Sequence, residues 1–135
     1  MLEKMFGTTI PGLQKALDLQ WKRNEALSSN IANAETPQYR AVDVDFAGEL
    51  ERAFQARDSA SGLKRTSSRH VDVASAESSH YVADLSGATK ADGNNVDLDI
   101  QMGKIAYNGG KYSITASLVR KKLQILRDTI RESLR

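Results

Sequence analysis

The sequence predicts a mainly α fold: long N- and C-terminal helices that pair as a coiled-coil-like hairpin around a short middle segment. Two observations carry this. Leu98, Met102, Ile105, Gly109, Tyr112, Ala116, Val119, Leu123, Leu126 and Ile130 recur in alternating steps of four and three, with Gly109 as the one gap in the apolar series. Phe6, Ile10, Leu13, Leu17, Gln20, Asn24, Leu27, Ile31 and Ala34 do the same near the start, with Gln20 and Asn24 as polar interruptions. A sustained period of about 3.5 residues is the mark of helices that meet along a seam.

The first helix is expected to start at Pro11, whose fixed φ suits a first helical turn. It would reach Asn33, about 35 Å at 1.5 Å per residue. Pro37 disfavours helical geometry at Thr36, so the helix must stop there or earlier. The last helix is expected to be capped by Asn94 or Asn95, with Asp97 and Asp99 in its first turn, where the helix dipole favours anions. Lys121, Lys122, Arg127, Arg131 and Arg135 gather at its other end, where cations are favoured. Gly109-Gly110 interrupts this helix at a cost of about 1 kcal/mol each relative to alanine. The pair reads either as a kink or close helix approach, or as a joint that adapts identical subunits to different neighbours.

The organisation read from these signals is residues 1–36 for the N-terminal helix and its terminating motif, 37–93 for the middle, and 94–135 for the C-terminal helix, together one domain. In the middle, Phe46, Leu50 and Phe54 repeat every four residues and predict a short helix over 45–57. A Ser-, Ala- and Gly-rich loop follows over 58–68. Short alternating pieces over 70–85 suit a weak β-hairpin, and D-G-N-N at 92–95 is a turn. Too few large apolar residues lie there to cover both seams. Each stripe therefore needs the other helix or a neighbouring molecule, since a buried leucine contributes about 1.5–3 kcal/mol. The termini are expected to order mainly on assembly.

Composition narrows the function. The chain has 135 residues, a net charge of +2 and no cysteine, so disulfides, thiol catalysis and cysteine–zinc sites are out of reach. Near-neutral charge argues against a nucleic-acid partner. No apolar run approaches the roughly 20 residues that span a bilayer, so direct membrane insertion is not expected. M-L-E-K-M-F-G-T-T-I lacks a signal peptide's apolar core, which implies a cytosolic chain or export by another route.

No enzyme chemistry stands out. G-G-K-Y-S at 109–113 has neither the earlier glycine, its place taken by Ile105, nor the Ser or Thr that a phosphate loop needs after its lysine, its place taken by Tyr112. His70 and His80, near Asp72 and Glu77, match no common metal spacing, so neither metal nor cofactor is expected. Asp43 and Asp45 alternate as V-D-V-D-F, the outward face of an extended segment or a cap for the next helix. A G-x-S-x-G elbow is absent. Arg120-Lys121-Lys122 are consecutive and cannot share one helix face, which reads as a solvated side.

The densest motif is L-S-S-N-I-A-N-A-E-T-P-Q-Y over 27–39. Ser29, Asn30, Ile31, Asn33, Thr36, Pro37 and Tyr39, followed by Arg40, resemble the S-x-N-I-A-N-x-x-T-P-G-Y signature of flagellar rod and hook proteins, the axial family. The continuation A-V-D-V-D-F resembles the proximal rod members. Asp92-Gly93-Asn94-Asn95-Val96-Asp97-Leu98-Asp99 is similar to their entry into the C-terminal helix. The match covers both termini, and the short middle lacks the inserted domain of larger relatives.

The resemblance implies a structural subunit of the proximal rod of the flagellar basal body. It would be exported unfolded by the type III apparatus without a cleaved signal, then polymerised through its terminal helices to transmit torque and wall the export channel. Implied partners are itself and neighbouring rod proteins, the rod–ring junction protein, the membrane ring at the rod base and the export apparatus, in the periplasmic space. Asn30, Asn33, Thr36 and Tyr39 would fix the turn or pack on adjacent subunits, and Asn94, Asn95, Val96 and Asp97 would form the second assembly motif. The implied seam is Ile10, Leu13, Leu17, Leu27, Leu98, Met102, Ile105, Tyr112, Val119, Leu123, Leu126 and Ile130. Two departures matter. Gln38 replaces the usual glycine, so a turn needing positive φ there would be strained. Gln101 replaces a common acidic residue, which is expected to remove an intersubunit ion pair. A helical-hairpin adaptor for a cytoplasmic partner is the alternative that the heptads alone permit.

Overall fold

A computed structural model describes residues 9–51 and 81–133. Four elements follow in order: α1 (Thr9–Ala32), β1 (Val42–Val44), β2 (Tyr81–Ala83) and α2 (Leu98–Ser133). The two long helices pack on each other, and the sheet lies beside α1. Phe6, Phe54, the 58–68 loop, and His70 and His80 with their neighbouring carboxylates lie outside the described residues.

Helix α1 begins two residues before Pro11 and closes at Ala32. Its last turn tightens: the Asn33 amide is shared between the carbonyls of Ser29 and Asn30, at 3.1 and 3.2 Å, and Ala34 N–H bonds back to Ile31 at 3.2 Å. Pro37 then forces the chain outward. Gln38 takes φ +61°, the one non-glycine residue with positive φ among those described. The strain expected there is present, because a Cβ crowds the carbonyl in this region. Replacing Gln38 with glycine is expected to stabilise the fold by about 0.5–1 kcal/mol after the extra freedom of the unfolded chain is deducted. A rise of a few degrees in the thermal midpoint would register it, and no rise would mean that the turn does not strain this residue.

Strands β1 and β2 pair antiparallel, with Val42 opposite Ala83, Asp43 opposite Val82 and Val44 opposite Tyr81. Of the stretch 70–85, the described strand thus joins a partner nearly 40 positions earlier. Residues 46–51 are helical, and Asp45 caps this turn by accepting the Gly48 amide at 3.1 Å. Phe46 and Leu50 then cover Leu19, Ala26 and Val44. A second, smaller cluster of Ala34, Ala41 and Val96 is lidded by Tyr39.

The start of α2 corrects one expectation. Its cap is Asp97, whose Oδ1 accepts the amides of Asp99 and Ile100 at 3.0 and 3.1 Å. Asn94 and Asn95 lie too far upstream to reach those amides, and they hold other parts of the chain instead. Helix α2 then runs unbroken through Gly109-Gly110. A Cβ at either glycine would meet nothing within 4 Å, so no close helix approach inside the chain explains them.

The seam also needs correcting within a single chain. Facing α1 is the polar line Gln101, Asn108 and Thr115, spaced by seven. Asn30 donates to Gln101, Asn108 donates to the Gln20 carbonyl at 2.8 Å, and Gln20 donates to Thr115 at 3.3 Å. Leu27 is fully buried, whereas Ile10, Leu13, Leu17, Ile105, Val119 and Leu126 are half-buried. Leu98, Met102, Tyr112, Leu123 and Ile130 are exposed. The physical reason is a rotation of α2: its inward face is its own polar line of Gln101, Asn108 and Thr115, and the apolar stripe sits to one side.

Candidate functional site

Where α1 ends and α2 begins, the two sequence motifs meet in a buried network of amides. Asn30 sits on the inner face of α1's last full turn and is fully buried. Its Nδ2 donates to the Val42 carbonyl at 2.7 Å and to Gln101 Oε1 at 3.1 Å. Its Oδ1 accepts from Val42 N–H at 3.0 Å and from the Tyr39 hydroxyl at 3.2 Å. The side chain therefore meets Val42 as a neighbouring strand would, with one donor and one acceptor. All four of its hydrogen-bonding positions are filled.

Asn94 fixes the turn after α1 from a distance of some 60 residues. Its Nδ2 lies 2.9, 3.1 and 2.8 Å from the carbonyls of Asn33, Ala34 and Thr36 in the turn that follows α1. Lys90 Nζ adds a bond to Ala34 O at 3.0 Å, a cation where the helix dipole favours one. Asn94 Oδ1 accepts Val96 N–H at 2.7 Å, which aims the chain into α2. Asn95 accepts the Ala41 amide and donates to the Asp84 carbonyl, both at 2.7 Å. It thus ties the segment before β1 to the one after β2. Gly87 passes so close beneath that a Cβ would overlap the Asn95 carbonyl.

Asp84 carries the charge of this region. The side chain is buried, and Oδ2 accepts from Lys104 Nζ and from Gln101 Nε2 at 2.8 Å, while Oδ1 accepts Ser86 N–H at 3.1 Å. Burial pushes its pKa up, but the bonds from Lys104, Gln101 and Ser86 outweigh it and hold the carboxyl well below the usual range. Nearby, Arg23 grips Asp43 with two bonds of 2.7 and 2.6 Å, a fork geometry that fixes α1 on β1.

The structure thus gathers Asn30, Tyr39, Asn94, Asn95 and Val96 at one junction. Asn33, Thr36 and Ser29 lie on its rim: Asn33 Nδ2 donates to Ser29 O at 2.9 Å, and Thr36 Oγ1 donates to Asn33 Oδ1 at 3.2 Å. Ile31 is half-buried, and Pro37 and Asp97 are exposed. Gln101 turns inward between Asn30 and Asp84, not outward to a neighbour. With a carboxylate already at Asp84, this position needs a side chain that both donates and accepts. The sequence reading missed Asp84, Lys104, Asn108 and Arg23. Their signal is partnership across 20 to 90 positions, which no local pattern carries.

This geometry is structural. Asn30, Asn94, Asn95, Gln101 and Asp84 all spend their side chains on other parts of the chain. Among the described residues, no group of three or more His, Asp or Glu is placed to hold a metal ion. No helix among them is long and apolar enough to cross a membrane.

No protein-family model matches the chain. Among known proteins it is similar to the flagellar basal body rod protein FlgB of Proteus mirabilis strain HI4320, 36% identical over 131 residues that cover 92% of this chain and 93% of the relative. Its likeness to FlgB of Escherichia coli K12 is 36% over 119 residues, 82% and 84% of the two chains. With FlgB of Buchnera aphidicola from Acyrthosiphon pisum it shares 31% over 113 residues, 82% and 85%. Identity of this level along most of the chain, and not the two motifs alone, disfavours the adaptor reading: the chain belongs to the FlgB family of flagellar basal body rod proteins.

Proposed function

We propose that this chain is a structural subunit of the proximal flagellar rod, exported unfolded and polymerised through its terminal helices. The observation that carries the reading is the distribution of apolar residues on α2. At about 100° per residue, the polar line Gln101–Asn108–Thr115 faces α1. Leu98, Met102, Leu123 and Ile130 lie on one flank, and Tyr107, Ile114, Leu118 and Ile125 on the other; all eight are exposed. A helix with apolar flanks on both sides of its intrachain contact belongs inside a packed wall. Neighbouring copies and other rod proteins would cover these flanks. The rod–ring junction protein, the membrane ring and the type III export apparatus complete the set of partners, and the periplasmic rod is the location. Transmission of torque and formation of the channel wall follow from such packing.

Loss of the gene should abolish hooks and filaments in electron micrographs, and the intact gene should restore them. Normal flagella in a strain without a second copy would overturn the reading. Leu123→Arg places a charge on an apolar flank at a cost of a few kcal/mol once neighbours exclude water. Export of this variant should be normal and its incorporation into rods lost. Rods of ordinary length that contain it would show that Leu123 meets no neighbour.

A further inference from the structure

Asn108-Gly109-Gly110 lies inside α2, and packing gives no reason for the first of its glycines. Gly109 weakens a helix interior, yet a Cβ there would meet nothing within 4 Å, so alanine would fit. The residue before it is the one asparagine, of six in the chain, that precedes a glycine. Asn108 is 3% exposed, and its Nδ2 donates to the Gln20 carbonyl of α1 at 2.8 Å. An unexplained glycine thus follows an asparagine that joins the two long helices.

Asparagine followed by glycine carries its own chemistry. The backbone nitrogen of the glycine loses its proton and attacks the asparagine Cγ, because no Cβ on the glycine hinders the approach. The new N–C bond closes a succinimide ring, and the side-chain nitrogen leaves as ammonia. Water then opens the ring at one carbonyl or the other, giving aspartate or isoaspartate. No oxidant or reductant takes part. The fold restrains every partner in this reaction. Unbroken helix commits the Gly109 N–H to the carbonyl four residues earlier. A helix also keeps ψ at about −42°, which turns the Gly109 nitrogen away from Cγ of Asn108. The bond to Gln20 holds the amide whose nitrogen would have to leave.

We propose that Asn108-Gly109 is a modification site gated by folding: it converts spontaneously to aspartate or isoaspartate in an opened chain and is protected where α2 lies on α1. The change is one-way, because the ammonia is lost. Aspartate at 108 has no proton to donate, so a carboxylate oxygen faces the Gln20 carbonyl in a buried position. Isoaspartate carries the backbone through its side chain, lengthens the main chain by a methylene and breaks the helix ladder. A chain left open too long therefore loses the capacity to close, whatever it later assembles with.

The test incubates the full chain in mildly alkaline buffer, with and without concentrated urea, and follows the tryptic peptide 105–111 by mass spectrometry. Deamidation at Asn108 should run at least tenfold faster in urea, since in the folded chain it waits on opening of the hairpin. Equal rates would overturn the gate. In urea, Gly109→Ala should slow the reaction at least tenfold, whereas Gly110→Ala should stay within twofold of the native chain. Equal rates for the two variants would show that the Gly109 nitrogen is not the nucleophile. Asn108→Asp isolates the consequence: its folding equilibrium constant, from urea unfolding, should fall at least tenfold. An unchanged constant would refute the loss of closure.

Discussion

Replacement of Asn30 by alanine is expected to cost about 3–5 kcal/mol of stability, the largest loss from any single substitution at the junction. The side chain is fully buried and makes four hydrogen bonds. Its removal leaves the N–H and C=O of Val42, Gln101 Oε1 and the Tyr39 hydroxyl short of a partner. Each such group costs about 1–3 kcal/mol where water cannot enter, and water reaching Val42, which is only half-buried, moderates the sum. Asn30→Asp is nearly the same shape but fares little better: it keeps the two acceptor bonds, loses both donor bonds, and sets a negative oxygen against Gln101 Oε1. Urea unfolding followed by circular dichroism measures both. Ser29→Ala is the control, because the Ser29–Tyr39 contact is exposed and long at 3.4 Å, and its cost should stay below about 0.5 kcal/mol. A loss under 1 kcal/mol for Asn30→Ala would mean that Asn30 serves neighbours, not the fold.

Asp84→Ala is the second large effect, about 2–3 kcal/mol at pH 7, since it strips charge-assisted bonds from Lys104, Gln101 and Ser86. The value stays below the range for a wholly buried ion pair because the Lys104 side chain remains 23% exposed and is partly solvated. The pH dependence has a definite sign. The Asp84 pKa is lower folded than unfolded, so the folded state holds fewer protons than the unfolded one as the carboxyl titrates. Its stabilisation is complete above about pH 5 and drains away as pH falls through about 4 and beyond. Asp84→Asn should therefore be less stable than the native chain at pH 7, and the gap should narrow toward pH 3. A constant gap from pH 7 to pH 3 would show that the charge of Asp84 contributes nothing.

These two residues differ in how far local pattern reveals them. Asn30 lies inside the densest polar motif of the chain, and its importance is visible there, though its role is not. An asparagine near a helix end reads as a cap, yet Asn30 pairs with a strand and Asn94 holds the turn after a helix that ended some 60 residues earlier. Asp84 stands in a stretch of weak alternation, with nothing nearby to distinguish it from Asp72 or Asp92. Its partners Gln101 and Lys104 are placed by the first turns of α2, and Asn95 sets the approach to them by holding Ala41 and Asp84 together.

By itself the sequence determined the two helices, the stop at Pro37, the strain at Gln38 and, through the motifs at 28–40 and 92–99, the family. These are local properties: side-chain period, the fixed φ of proline, the cost of positive φ, and consecutive letters. Tertiary structure alone decided which face of α2 meets α1. A 3.5-residue repeat says that a helix has an apolar stripe but not what covers it. Here Asn30 bonds Gln101, Asn108 bonds the Gln20 carbonyl and Gln20 bonds Thr115 across the hairpin, because a buried amide without a partner costs more than a half-exposed leucine. The stripe of Met102, Leu123 and Ile130 is thereby turned outward, toward the neighbours that a rod supplies.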